Sequence, residues 1–112
     1  MKITMKLQKE PFEMIKNGKK IYELRLFDEK RKNIKVGDEI EFLCGVLNQK
    51  LTAKVLEILV FKNFKELYAS LSPLEIGYTE QTSRTASPDD MLNYYTKEEQ
   101  AEYGVMAIKI KV

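Results

Sequence analysis

Alternating apolar and polar residues predict most of the secondary structure. At the start of the chain, Ile3, Met5 and Leu7 alternate with polar residues, which is the period of a half-buried strand. The same period returns in four later stretches: the segment that starts at Lys20, Glu39 to Cys44, Lys50 to Phe61, and Val105 to Val112. We therefore predict five strands, four of them before a central region of different character and one after it.

Helices are predicted from capping chemistry and from helical spacing. Glu10-Pro11 opens a short first helix, because proline is tolerated in the first turn, and Asn17-Gly18 ends it. After Asn63, apolar residues recur at helical spacing. Three further helix starts carry a hydroxyl followed three residues later by an acid: Ser72-Pro73, Ser87-Pro88 and Thr96-Lys97. The polar stretch Gly77 to Ala86 is predicted to be a mobile loop.

This order of elements predicts a single α+β domain that spans residues 1–112. The chain is too short for two cores, and five short strands suit a small, strongly bent sheet or semi-open barrel with helices at its ends. A concave surface is expected where the barrel mouth, the first helix and the polar loop meet.

Composition excludes several classes of site. The chain has one cysteine, Cys44, and no histidine, so disulfides, Cys/His zinc sites and catalytic triads are excluded. We expect no metal and no cofactor. No apolar run approaches 18 residues, so we expect neither a signal peptide nor a membrane span, and a reduced, cytoplasmic setting follows. The net charge of only +2 means that affinity for nucleic acid must come from local clusters such as Lys16 to Lys35.

The second predicted strand carries an acid and a base on one face. Glu23 and Arg25 alternate with the apolar residues Tyr22, Leu24 and Leu26, which form the better core face. If the charged face were open to solvent, the pair would contribute only about 0 to 1 kcal/mol. If it were covered, each charge would need a partner or a ligand, since an unpaired buried charge costs several kcal/mol. The flanking Ile21 and Phe27 on the same face favour some cover.

A lysine completes this cluster, and periodicity leaves its identity open. Strict alternation places Lys19 on the face of Glu23, whereas a bulge or a later strand start places Lys20 there.

Two motifs in this region carry a family resemblance. The pattern G-x-K-x-x-E-x-R is formed by Gly18, Lys20, Glu23 and Arg25, and I-x-x-G-D-x-I-x-F by Ile34, Gly37, Asp38, Ile40 and Phe42. With the tail from Tyr94 to Val105, the chain resembles the ASCH domain of the PUA-like superfamily over essentially its whole length. The resemblance implies a small five- to six-stranded PUA-like β-barrel with flanking helices, and a cleft that binds RNA or nucleotide-like ligands.

The resemblance also implies site residues. Lys20, Glu23 and Arg25 would line the cleft, and we add Lys19 and Tyr78 as candidate ligand-binding residues. Aromatic residues are candidates for stacking on bases, although Tyr22 and Phe27 are expected in the core: Tyr22, Phe27, Tyr78, Tyr94 and Tyr95.

The alternative function is that of a small amidohydrolase. One branch of the family hydrolyses N4-acetylcytidine with a lysine, a threonine three residues later and a separate glutamate. This chain keeps Lys20 but has Glu23 at the threonine position, so Lys20 and Glu23 would be the catalytic residues only if the protein is an enzyme. Candidates for the separate glutamate are Glu66, Glu75 and Glu80. A charged lysine beside an arginine is better suited to binding anions than to abstracting protons, which favours binding over hydrolysis.

Overall fold

The computed structural model describes residues 2–112 and contains one mixed sheet with three α-helices. The strands are β1 (Lys2–Lys6), β2 (Tyr22–Leu26), β3 (Glu39–Cys44), β4 (Gln49–Phe61) and β5 (Val105–Lys111). The helices are α1 (Lys9–Lys16), α2 (Phe64–Ser70) and α3 (Lys97–Tyr103). Short 3-10 helices occupy Pro73–Ile76, Thr82–Thr85 and Pro88–Asn93. The five predicted strands are therefore all present.

The sheet curls into a half-barrel and does not close. Its strand order is β1-β3-β4-β5-β2, with β1 parallel to β3 and the other neighbours antiparallel. The two edge strands, β1 and β2, do not pair with each other within residues 2–112. The predicted five- to six-stranded barrel is thus corrected to an open, five-stranded half-barrel, because no backbone ladder joins the edge strands β1 and β2 in residues 2–112.

Both faces of the half-barrel are covered by apolar residues. On the concave face, α1 contributes Phe12 and Ile15 to a core with Phe42 and Ile108, all of them at most 2% exposed. On the convex face, α2 contributes Phe64 and Leu67 to a second core that contains residues of β2 and β5. The buried run in β5 follows from this arrangement, since a strand covered on both sides has no solvent face.

Register places the charged pair of β2 on the concave face. Glu23 lies opposite Ile108 and Arg25 lies opposite Met106 in the antiparallel pairing of β2 with β5. Directly opposed residues share a face, and both partners belong to the concave core. Glu23 is consequently only 3% exposed, so the reading of Glu23 and Arg25 as an ordinary surface pair is wrong.

The predicted capping residues begin the helices as expected, with one difference in helix type. The hydroxyls of Ser72, Ser87 and Thr96 each belong to a capping box with the acid three residues later. Only Thr96 leads into an α-helix, whereas the two Ser-Pro starts lead into 3-10 helices of 4 and 6 residues. Such short segments close one or two turns and then release the chain, which lets residues 72–95 fold over the mouth of the half-barrel.

Candidate functional site

A cavity of about 480 Å³ lies where the half-barrel fails to close. Its walls come from three parts of the chain: the end of β1 with α1, strand β2, and the segment between α2 and α3. The ionisable residues among the lining are Lys6, Glu10, Lys20, Glu23, Arg25, Tyr68, Tyr78, Asp90, Tyr94 and Tyr95. Pockets of this volume accommodate small molecules or a single nucleotide.

Glu23 forms the centre of an ionic cluster in the wall of this cavity. The Lys20 Nζ atom donates to Glu23 Oε1 at 2.7 Å. The Arg25 Nε and Nη2 atoms both lie 2.8 Å from Glu23 Oε2. Each carboxylate oxygen therefore holds one cation, and the cluster carries a net charge of +1.

Arg25 also spans the gap between the two edge strands. Its Nη2 atom donates to the backbone carbonyl of Lys6, at the end of β1, at 3.1 Å. Since no backbone ladder joins β1 to β2 within the described residues, this side chain is a direct polar link across the gap. The guanidinium is thereby held at two points, and its orientation toward the cavity is fixed.

The two cations determine the ionisation of Glu23. Burial alone raises the pKa of this carboxyl, but the charges of Lys20 and Arg25 and their hydrogen bonds outweigh burial, so the net pKa lies below its ordinary value. Glu23 is therefore a carboxylate at neutral pH, and it acts as the acceptor for both cations.

The choice between Lys19 and Lys20 is settled in favour of Lys20. Gly18, with a φ of 75°, ends α1, and the extended β2 ladder begins only at Tyr22, so strict alternation does not reach back to the lysines. Lys20 lines the cavity, whereas Lys19 is exposed and is not among the lining residues. The predicted ligand-binding role of Lys19 therefore finds no geometric support.

Gly77 makes room for the Lys20 side chain. A Cβ atom at this position would lie 3.1 Å from Lys20 Cδ, and the backbone φ of 114° is in the left-handed region that favours glycine. Gly77 follows the short helix Pro73–Ile76, whose Glu75 carbonyl accepts a hydrogen bond from the backbone of Ile21 at 3.0 Å. This bond fastens the segment after α2 to the chain next to Lys20.

A second polar group consists of two tyrosines and an aspartate. The Tyr78 hydroxyl donates to Asp90 Oδ2 at 2.7 Å and lies 2.8 Å from the Tyr68 hydroxyl. A carboxylate only accepts, so Tyr78 donates to Asp90 and Tyr68 donates to Tyr78. Burial raises the pKa of Tyr78, and the hydrogen bond to Asp90 raises it further, so Tyr78 remains a neutral donor throughout the physiological pH range.

The aromatic candidates divide into core and cavity residues. Tyr22 packs in the convex core and Phe27 packs against the concave core, and neither lines the cavity, as the sequence predicted. Tyr95 stacks on Phe64 with ring centroids 6.0 Å apart, so it supports the wall. Tyr94 is 62% exposed and lines the cavity, so it is largely accessible to a ligand.

Two carboxylates from outside the motif, Glu10 and Asp90, line the cavity, and sequence reasoning missed both. None of the predicted candidates Glu66, Glu75 and Glu80 is among the lining residues. Glu66 accepts from the backbone N–H of Lys62 at 3.3 Å, near the start of α2, and Glu75 completes the capping box of Ser72. The signal for Asp90 was its own capping box with Ser87, which identified a helix start but said nothing about the distant strand it would face.

The charges that line the cavity balance each other. Lys6, Lys20 and Arg25 oppose Glu10, Glu23 and Asp90. Because Glu23 lies between Lys20 and Arg25, the positive excess is concentrated at that end. The cavity therefore suits an anionic group at the end with Lys20 and Arg25 and a hydrogen-bond donor elsewhere.

Two features are absent from residues 2–112. No cluster of three or more potential metal ligands is found among these residues. No helix in the same range has the length and apolar character needed to cross a membrane.

Two solved structures are similar to the chain over almost its whole length. The crystal structure of the hypothetical protein PH0355 matches with a TM-score of 0.82 and 38% sequence identity, over 99% of this chain and 98% of that one. The solution NMR structure of protein PF0455 from Pyrococcus furiosus matches with a TM-score of 0.73 and 34% identity, over 99% of this chain and 96% of that one. No curated protein gives a significant match.

The family resemblance that the motifs predicted is confirmed. The profile of the ASCH domain matches residues 5–112, which is nearly the whole chain and includes both motifs. The chain therefore belongs to the ASCH domain family and has the PUA-like fold of that family.

Proposed function

We propose that the protein binds RNA or nucleotide-like ligands in the cavity at the open side of the half-barrel. The observation that carries this proposal is the ionic cluster of Lys20, Glu23 and Arg25, which presents a fixed net positive charge inside a cavity with tyrosines in its wall. A phosphate next to bases that stack on aromatic rings is the ligand chemistry that such a surface recognises.

The cluster retains hydrogen-bond donors for a phosphate. Lys20 has three N–H donors, of which Glu23 accepts one. The Nη1 group of Arg25 has no hydrogen-bond partner within residues 2–112. Because Glu23 and the Lys6 carbonyl hold the remaining donors, the free ones need little reorganisation on binding, which favours affinity.

Tyr94 supplies an exposed ring for a base. It follows the short helix Pro88–Asn93, and its ring lines the same cavity as the ionic cluster. Stacking of a base on such a ring contributes about 1 to 3 kcal/mol and tolerates any base.

Binding of mononucleotides and short single-stranded RNA at low and physiological salt tests this proposal. We expect salt-sensitive binding and a rise in melting temperature. Lys20→Ala should weaken binding by about 1 to 3 kcal/mol, because a charged contact is lost. Lys19→Ala is the matched control: it removes the same charge one residue away, outside the cavity, and should have a much smaller effect. Equal losses in the two variants, or no binding by the unchanged protein, would contradict the proposal.

Hydrolysis of N4-acetylcytidine is the second candidate function. It is supported by the presence of Lys20 and of a carboxylate from outside the motif, Asp90, in one cavity. It is opposed by the 2.7 Å contact of Lys20 with Glu23, because an ammonium held on a carboxylate is poorly placed to accept a proton. Incubation with N4-acetylcytidine distinguishes the two: turnover that disappears in Lys20→Ala would make the protein an amidohydrolase, whereas binding without turnover supports the first proposal.

A further inference from the structure

Asp90 has one engaged and one free carboxylate oxygen. Its Oδ2 atom accepts from the Tyr78 hydroxyl at 2.7 Å and from the backbone N–H of Ser87 at 3.2 Å. Its Oδ1 atom has no hydrogen-bond partner within residues 2–112, although the residue lines the cavity. The capping box of the short helix is complete with Oδ2 alone. The hydrogen bonds of the protein therefore use Oδ2, and Oδ1 can accept a hydrogen bond from a ligand.

We propose that Asp90 selects ligands by the base they carry, by accepting a hydrogen bond from an exocyclic amino group. This inference rests on the proposed function, in which Lys20 and Arg25 bind the phosphate of the same ligand. Asp90 would be the specificity-determining residue, and Tyr78 a positioning residue that acts through it. The preferred ligand is a nucleotide, free or within an RNA, whose base is amino-bearing: adenine, cytosine or guanine.

Two physical arguments favour an amino group. An ionised carboxylate offers only acceptors, so it repels the carbonyl oxygens and ring-nitrogen lone pairs of a base and attracts its N–H groups. Uracil offers a ring N–H, but this group lies between two carbonyl oxygens, and a carboxylate close to it meets at least one of them. An amino group projects from the ring and can meet Oδ1 alone.

Tyr78 and Ser87 also pre-organise the acceptor. Two donors hold Oδ2, and Tyr68 in turn lies 2.8 Å from the Tyr78 hydroxyl, so the direction of the carboxylate is fixed before any ligand arrives. A base without a hydrogen-bond donor is rejected more strongly by a fixed acceptor than by a mobile one. The reason is that a fixed carboxylate cannot rotate away from the base.

Three matched pairs of nucleoside monophosphates test the inference by calorimetry with the full chain. Each pair differs by one amino group: AMP and purine riboside monophosphate, GMP and IMP, and CMP and its analogue that lacks the amino group. For at least one pair we expect the amino-bearing member to bind about tenfold tighter or more, the effect of one hydrogen bond to a charged group. In Asp90→Asn this preference should vanish, because the amide keeps an acceptor for Tyr78 and Ser87 and turns its NH₂ donor toward the base.

Controls separate this inference from the proposed function. Asp89→Asn changes the neighbouring exposed acid in the same short helix and should keep the preference. Ribose phosphate should bind the unchanged protein and Asp90→Asn equally, since it reports only on Lys20 and Arg25. Tyr78→Phe, which keeps the ring, should reduce the preference without removing phosphate binding.

The outcomes are distinct. Equal affinity within all three pairs, with binding still dependent on Lys20, would overturn the role of Asp90 and leave the proposed function standing. A preference that survives in Asp90→Asn would also overturn it. Failure of every nucleotide and of ribose phosphate to bind would overturn both.

Discussion

Replacing Glu23 by glutamine tests whether the ionic cluster is a buried unit. The side chain of Glu23 is 4% exposed, and those of Lys20 and Arg25 are 11% and 15% exposed. Glutamine keeps the shape but offers one acceptor to two cations, so at least one buried charge loses its partner. Breaking a buried pair in this way costs about 3 to 5 kcal/mol. At roughly 4 °C per kcal/mol for a domain of this size, the melting temperature should fall by about 12 to 20 °C.

Thermal and denaturant unfolding at several pH values provide the assay. The pKa of Glu23 is lowered in the folded protein, so its contribution is fully present above its unfolded pKa of about 4.5. That contribution is lost as the pH falls through the lower folded pKa. The difference between the unchanged protein and Glu23→Gln should therefore be constant from neutral pH down to about 5, and shrink only below about 4.

A matched control separates burial from mere ion pairing. Glu29 forms a 2.8 Å pair with Lys32, but its side chain is 79% exposed, so Glu29→Gln should leave the melting temperature almost unchanged. A Glu23→Gln variant no less stable than Glu29→Gln would contradict the role of the cluster as a buried ionic unit. An unchanged cost of Glu23→Gln in acid would contradict it as well, because the loss of stability would then not come from the ionised carboxylate.

Two further substitutions address the cavity wall. Gly77→Ala should lower the melting temperature by several degrees and weaken nucleotide binding, because the φ of 114° disfavours a side chain and the added Cβ would press on Lys20. Differential scanning fluorimetry measures the change, and Gly45→Ala is the control because a Cβ atom at Gly45 would meet no neighbouring atom within 4 Å. Tyr94→Ala should weaken binding of single-stranded RNA by about 1 to 3 kcal/mol at an unchanged melting temperature, as measured by fluorescence titration, whereas Tyr103→Ala, outside the cavity, should not.

Local chemistry was enough to predict the elements of this fold. Alternation located the five strands because each has at least one face in contact with a core. Ser72, Ser87 and Thr96 identified helix starts because a cap involves only residues within one turn. Alternation could not predict which elements pack on each face of the sheet. The concave position of Glu23 depends on its pairing with Ile108, which is distant in sequence.

Only the part of the site that lies within one short motif was predicted from the sequence. Lys20, Glu23 and Arg25 lie within six residues, so a single motif identified all three. Asp90 reaches the cavity only because the chain after α2 folds over the mouth of the half-barrel, fastened by the bond from Ile21 to Glu75. No local pattern encodes that path, so Glu66, Glu75 and Glu80 were equally plausible from sequence alone.

The open side of the half-barrel and the ionic cluster are two aspects of one arrangement. A closed barrel would pair β1 with β2 through backbone hydrogen bonds and would occupy the space that is now the cavity. Here Arg25 makes a single bond to the Lys6 carbonyl, and Glu23 holds Arg25 in place to make it. A buried ion pair adds little stability compared with a well-packed apolar pair. The presence of this ion pair is therefore better explained by its effect on the gap between β1 and β2. It fixes the distance between these two strands and keeps cationic donors directed into the space between them.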